Sequence, residues 1–286
     1  MSIVFLLIHL VPGDPIQQML GEGAPPADIA ATRHAYGLDA PLSQQYMRYW
    51  KGLVHGDLGP SFRYNQSVTR LITQRYPYTL RLTLASLFVA IVLSIPAGVR
   101  SARRRNRWDD RLLSVVSLFG LSFPNFALGP ILILLFAIKL GWLPVSGAGS
   151  FANLVLPAVT MGSALAAILT RMVRTSMLEE LSQDYIRTAR AKGLPERTVV
   201  YRHALRNAMI PIITVLGLQF GALLAGAIVT ETIFSWPGIG RLTIQAISGR
   251  DYYLVQGCIL AIGLTYVAVN FLTDVLYSVA NPRIRQ

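Results

Sequence analysis

The residues best placed for chemistry lie between Asp184 and Arg197, in the stretch DYIRTARAKGLPER, and the chemistry they suit is recognition rather than turnover. Two short helical patterns flank Gly193-Leu194-Pro195. In the first, Met177, Leu181, Tyr185 and Ala189 recur every four residues and predict one apolar stripe. In the second, Val200, Ala204 and Ala208 repeat that spacing. Gly193 suits a left-handed helix C-cap, and Pro195 suits the first turn of the next helix. The pattern predicts a stiff helix-turn-helix within the basic stretch Arg171–Arg206. Two uses fit it equally on residue pattern alone: docking on another protein, or lying as an amphipathic basic loop on anionic lipid.

Other polar residues stand inside apolar runs. Ser122-Phe123-Pro124-Asn125 falls in the middle of one, where Pro124 breaks the helical ladder and frees carbonyl groups. Ser122, Phe123 and Asn125 are candidates for a polar path; interhelical hydrogen bonding is the alternative. Gln219 is a further path candidate and sits between Gly217 and Gly221, whose spacing predicts close helix packing. Asp274 is an ionisable group at depth and calls for a partner, with Arg111 or Arg171 as candidates. Glu231 is expected at a helix end, either contacting an external protein or solvated, with Trp236 as an interfacial anchor.

Catalytic patterns are missing. None of Lys51, Lys139 and Lys192 follows a glycine, which excludes the Gly-Lys of a phosphate-cradling loop. There is no HExxH or GxSxG, and His9, His34, His55 and His203 are too scattered to predict a metal cluster. The single Cys258 excludes an intramolecular disulfide and is expected to pack. Any ATP-driven step belongs to another chain, so no enzyme activity and no cofactor is expected here.

The elements that must position these residues are membrane spans. Of 286 residues, 53% are hydrophobic and 14% charged. Five runs approach or exceed the ~20 residues a bilayer requires: Leu82–Val99, Leu112–Ile138, Leu140–Thr170, Asn207–Thr230 and Tyr252–Thr273. The third opens on a Gly-rich turn, which places its helix start near Ala152. With no water in the hydrocarbon core, such runs are helices, so the chain is expected to be an all-α polytopic membrane protein. Met1–Val11 is apolar but only half a span, without a basic n-region or cleavage site, and reads as part of a first helix that begins upstream of Met1.

Basic residues orient the spans. Six arginines fall between Arg100 and Arg111, and eight Lys/Arg lie in Arg171–Arg206. Only Lys139 precedes Ala152 in its loop, and Arg241 and Arg250 stand between Thr232 and Asp251. Dense Lys/Arg marks the cytoplasmic side, which puts the C-terminus inside and Pro12–Pro77 outside. The net charge of +12 follows from this bias and from attraction to anionic lipid, without nucleic acid.

The stretch from Asp184 to Pro211 closely resembles the cytoplasmic EAA loop of ABC-importer permeases of the dipeptide, oligopeptide and nickel group. LVPGDP (Leu10–Pro15), GLDAPLSQQY (Gly37–Tyr46), GDLGPS (Gly56–Ser61), RYPYTLRLT (Arg75–Thr83), NRWDDRLLS, GLSFPNFALG, LGWLPVSGAG, ETIFSWPGIGRL, RDYY and NPRIR are similar to that family in order and spacing. Two departures stand out. Family members carry further N-terminal residues, and the Glu-Ala-Ala of the general loop is Arg187-Thr188-Ala189 here. The resemblance implies a six-helix type I permease fold, with the first helix incomplete, over one transmembrane domain of residues 1–286. Within it residues 1–11 are the partial first helix, 12–77 the external segment, and 78–281 a five-helix core carrying the loop 171–206.

The resemblance also implies a bacterial inner-membrane location and a set of partners: a second homologous permease, two cytoplasmic ATPase subunits that bind ATP and Mg, and an external substrate-binding protein. Docking on an ATPase falls to Asp184, Arg187, Thr188, Ala189, Arg190, Ala191, Lys192, Gly193 and Leu194. Small Ala189 and Ala191 permit close approach, and Arg187 and Arg190 can pair with carboxylates. Short peptides are the expected cargo and nickel complexes the alternative. A secondary transporter would bury coupling charges or show inverted halves, and the chain displays neither pattern; a scaffold without transport is the remaining rival.

Overall fold

A computed structural model of the chain describes residues 2–10, 14–21 and 23–280, and among them every regular element is a helix. Four precede the first long one: α1 (Ser2–Leu10), α2 (Pro15–Leu20), α3 (Pro26–Ala35) and α4 (Leu42–Val54). Then come α5 (Val68–Arg103), α6 (Trp108–Ser122) and α7 (Asn125–Leu132) with a π-helical continuation (Ile133–Lys139). α8 (Ala152–Leu181) leads to α9 (Asp184–Ala191) and α10 (Glu196–Thr198). A second π-helical stretch (Val199–Ala204) runs into α11 (Leu205–Ile233), followed by α12 (Ile239–Ser248) and α13 (Tyr252–Ala280).

Four helices among the described residues are long and apolar enough to cross a membrane: Val68–Arg103, Ala152–Leu181, Glu196–Leu224 and Tyr252–Thr273. The fifth expected span is not one helix. Leu112–Ile138 breaks into α6 and α7, bent by 107°. Phe123 (ψ 118°) and Pro124 (ψ 135°) are both extended, as a residue preceding proline is pushed to be. α8 does begin at Ala152, where Asn153 accepts from the Ser150 backbone N–H (2.9 Å) and hydroxyl (2.8 Å). α4 and α12 are amphipathic at helical spacing, and α12 buries Ile239, Leu242, Thr243 and Ala246 on one face.

The chain forms two compact units. The first comprises residues 1–79 and 237–264. Its core joins Val68, Leu71 and Ile72 of α5 to Ile239, Leu242 and Ala246 of α12 and to Leu254, Val255 and Cys258 of α13. Cys258 is fully buried there, as a packing residue. Asp251, also fully buried, accepts from the Ser61 hydroxyl (2.5 Å) and from the N–H groups of Arg63 (3.2 Å) and Leu254 (3.2 Å). That carboxylate caps α13 and pins the loop before α5 to it. GDLGPS and RDYY, far apart in sequence, meet at this point.

The second unit comprises residues 80–236 and 265–286. α8 is its hub, with buried positions from Leu156 to Met177 packed against α6, α7 and α11. Its crossing with α5 is unusually close. A Cβ at Gly98 would lie 2.6 Å from Val173 Cβ and 2.9 Å from the Thr170 carbonyl oxygen; one at Gly162 would lie 2.5 Å from the Ser86 carbonyl oxygen. Gly217 and Gly221 face α13 in the same way, at Thr273 and Tyr266, so they serve helix packing.

One buried carboxylate ties three helices together. Asp110 is 4% exposed and receives Arg174 of α8 in a fork, Nε to Oδ1 at 2.7 Å and Nη2 to Oδ2 at 2.9 Å. The Ser101 hydroxyl of α5 donates at 2.5 Å and the Asn106 N–H at 2.9 Å. Removing one partner of such a pair leaves an uncompensated buried charge. Arg174→Met is therefore expected to cost about 3 kcal/mol, read as a lower thermal midpoint in detergent. Asp110→Leu/Arg174→Met, which removes both charges, should recover a large part of it. A double variant no more stable than Arg174→Met would show that the pair is not the source of the loss.

Candidate functional site

The basic loop is built from the end of α8 to the start of α11. α8 stops at Leu181, where the Ser182 and Gln183 N–H groups bond back to Glu179 and Glu180 (both 3.2 Å). Gln183 turns extended (ψ 151°) and α9 begins at Asp184, with an acid in its first turn and Arg190 in its last, as the helix dipole favours. This break resets the helical phase. The expected continuous stripe through Met177, Leu181, Tyr185 and Ala189 is therefore interrupted, and Ile186 rather than Tyr185 is fully buried, beside nearly buried Ala189. The second stripe holds: Val200, Ala204 and Ala208 are all buried.

α9 ends as the sequence predicts. Gly193 has φ +75°, its N–H bonds to the Arg190 carbonyl (2.9 Å), and the Leu194 N–H bonds to the Ala189 carbonyl (3.4 Å). These two bonds make a Schellman cap. Pro195 stands one position earlier than expected, capping α10 rather than inside its first turn. Across the turn Arg190 holds Glu196 in a fork, Nη2 to Oε1 at 2.9 Å and Nε to Oε2 at 3.2 Å, and this carboxylate holds the Arg190 pKa above its ordinary value. Arg187 pairs with Asp184 at 3.2 Å. Both guanidinium groups thus have carboxylate partners inside the loop.

Tyr185 braces the loop from the other side. Its hydroxyl donates to Glu180 and accepts from Asn207 Nδ2 (3.0 Å), linking α8, α9 and α11. Burial and the Glu180 carboxylate push the phenol up to about 12, so it stays a neutral donor at physiological pH. Outward, Asp184, Arg187, Thr188, Arg190, Ala191, Lys192, Gly193 and Leu194 are exposed and form one contiguous surface, while Ala189 turns inward. The arrangement carries no nucleophile–base pair. It presents a short, braced helix end.

The path candidates are less concentrated. Ser122 and Phe123 are exposed at the α6–α7 break, Gln219 is half-buried on α11, and no hydrogen bond joins Ser122 to Gln219. The side chains of Asn125 and Asp274 lie outside the described residues. Glu231 and Trp236 differ from expectation: both are buried, 0% and 3% exposed, because the chain folds back so that the Trp236 N–H bonds to the Glu231 carbonyl (2.8 Å). The Asp110–Arg174 fork was not anticipated. Its one sequence signal was an acid pair, Asp109-Asp110, set among arginines.

The Gly193 turn yields a direct test. A Cβ there meets nothing within 4 Å, so Gly193→Val is penalised only by its left-handed backbone, about 1–2 kcal/mol. Trypsin should cut the loop faster in that variant while the helix content of the protein is unchanged, and Gly193→Asn should fall between the two. Equal cleavage of Gly193→Val and wild type would show that the turn does not depend on glycine.

Comparison with known proteins places this loop in context. Residues 94–286 match the family described as the binding-protein-dependent transport system inner membrane component, and residues 1–83 match the N-terminal region described for such membrane components. The chain is 46% identical over 283 residues to the glutathione transport system permease protein GsiC of Escherichia coli strain K12, covering 99% of this chain and 92% of that protein. It is 45% identical, with the same coverage, to GsiC of Salmonella paratyphi A. Among solved structures, the MetNI methionine ABC transporter in an inward-facing conformation is similar with a TM-score of 0.65 at 19% identity, over 74% of this chain and 96% of that one. An amino acid ABC transporter with histidines is similar with a TM-score of 0.53 at 16% identity, over 75% and 94%.

Proposed function

The chain belongs to the binding-protein-dependent transport system inner membrane components, ABC-importer permeases of all-α polytopic type I fold, and on that premise we propose that it forms the path for short peptides and couples it to a separate ATPase. The observation that carries this is the braced helix α9: a Schellman cap, the Arg190–Glu196 fork across the turn, and a contiguous exposed face. A helix held at both ends transmits displacement instead of absorbing it.

On this reading Asp184, Arg187, Thr188, Arg190, Ala191, Lys192, Gly193 and Leu194 enter a groove of one of two cytoplasmic ATPase subunits, which bind ATP and Mg. Ala189 supports them from inside. The arginine-rich loops and the C-terminus face the cytoplasm. A second homologous permease completes the path, and an external binding protein delivers cargo. Identity of 46% to glutathione permeases favours a peptide-like cargo, since glutathione is itself a tripeptide. Ser122, Phe123, Asn125 and Gln219 are the proposed path residues.

Expressed with its ATPases, the wild-type chain should retain them through purification and support ATP-dependent uptake of labelled glutathione or dipeptide in cells lacking their own importers. Gly193→Val should reduce both retention and uptake at least several-fold, with membrane insertion unchanged. Undiminished association and uptake in Gly193→Val would remove the coupling assignment, and uptake of a nickel chelate in place of peptide would remove the cargo assignment. In a Cys258→Ala background, a cysteine at Gln66 should react with an impermeant reagent in intact cells, and one at Ser182 should not. The reverse pattern would invert the orientation.

A further inference from the structure

The end of α5 and the turn to α6 gather positive charge around one concavity. Arg100, Arg103, Arg104, Arg105 and Arg107 line a cavity of about 620 Å³, closed by Pro96 and by Tyr201 from the second π-helical stretch. The turn is held in shape: Asn106 adopts φ +63° and its N–H is fixed by buried Asp110. Asp109 takes up two of the five guanidinium groups, Arg100 at 3.0 Å and Arg104 at 2.6 Å. Arg103, Arg105 and Arg107 have no ion pair among the described residues and are exposed. Five guanidinium groups against the single Asp109 carboxylate leave the basin strongly positive, with Glu196 acting on Arg103 only at longer range, an arrangement that suits an anion with several acceptor oxygens.

What adjoins the basin points to the kind of anion. α6 leaves it at Trp108 and presents Trp108, Leu112, Val115 and Phe119 on one face at helical spacing. Their exposures are 67%, 45%, 50% and 69%. Phosphate-seeking charge at one end and an uncovered apolar stripe at the other match a head group with its acyl chains. We propose that this basin binds the phosphodiester head group of an anionic glycerophospholipid, with its chains along the α6 stripe. Tyr201 belongs to the segment that follows the Arg190–Glu196 fork, so the lipid would share a wall with the basic loop.

The full chain in phosphatidylcholine vesicles containing increasing amounts of brominated-acyl phosphatidylglycerol provides the test. Quenching of Trp108, isolated by subtracting a Trp108→Phe variant, reports lipid on the stripe. The Arg103→Gln/Arg105→Gln/Arg107→Gln variant changes only exposed side chains. It should raise the phosphatidylglycerol fraction needed for half-maximal quenching roughly tenfold or more, as expected for three interfacial arginines. A charge-matched control, Lys51→Gln/Arg70→Gln/Lys139→Gln, should shift it less than about twofold. Unchanged quenching in the basin variant, or an equal shift in the control, would overturn the site. Displacement of the lipid by millimolar inorganic phosphate would also overturn it, in favour of a free-anion site.

Discussion

The Asp110 carboxylate is the constraint on which the basic end of the larger unit depends. Nearly buried, it is stabilised only because Arg174, Ser101 and the Asn106 N–H converge on it, and each comes from a different segment. Lose the convergence and a charge is stranded away from water, a cost far larger than any surface ion pair recovers. The carboxylate thus fixes where α5 ends, how the chain turns into α6, and where α8 lies before it gives way to α9. The loop beyond inherits its position from that node. Its own polar links, Tyr185 to Glu180 and Arg190 to Glu196, are more exposed and contribute orientation more than stability.

Links of graded strength suit a permease. Deep in the helices the chain relies on steric contact at glycines, because between membrane helices van der Waals packing replaces the hydrophobic effect. At the aqueous end it relies on charge-assisted hydrogen bonds, where water makes such groups affordable to hold yet still directional. The two kinds of contact meet on α8, whose middle crosses α5 at Gly162 and whose end carries Arg174.

Much of this was legible in the residues. Four of the five long apolar runs fall in single spanning helices, because length and lack of charge suffice for that. The Gly193 turn was legible because a positive φ leaves few residue choices, and α8 starts at Ala152 because a Gly-rich stretch precedes it. Three features were not legible, each for a reason. The break between α8 and α9 leaves an unbroken four-residue spacing in sequence, so only backbone hydrogen bonds reveal the phase reset. At Pro124 a broken ladder was legible but the 107° bend was not, since proline fixes that a ladder breaks and not by how much the chain turns. Glu231 and Trp236 read as surface residues because burial of a polar residue depends on chain reversal that local sequence does not encode. The path residues stayed scattered for a similar reason: their partners are set by tertiary placement.

The α5–α8 crossing has a mechanical meaning. At Gly98 and Gly162 each helix has the other's side chains or carbonyls where its own Cβ would be, so any larger residue at either position would force the two helices apart. Close-packed contacts of this kind have no soft intermediate positions. Close approach at two points along the crossing ties α5 and α8 together more firmly than a contact through long side chains would. Compliance is left to the joints: the extended Phe123–Pro124 corner and the two π-helical stretches, where the hydrogen-bond ladder is already irregular. In such a frame the stiff members determine the direction of travel, and the joints determine how far it goes.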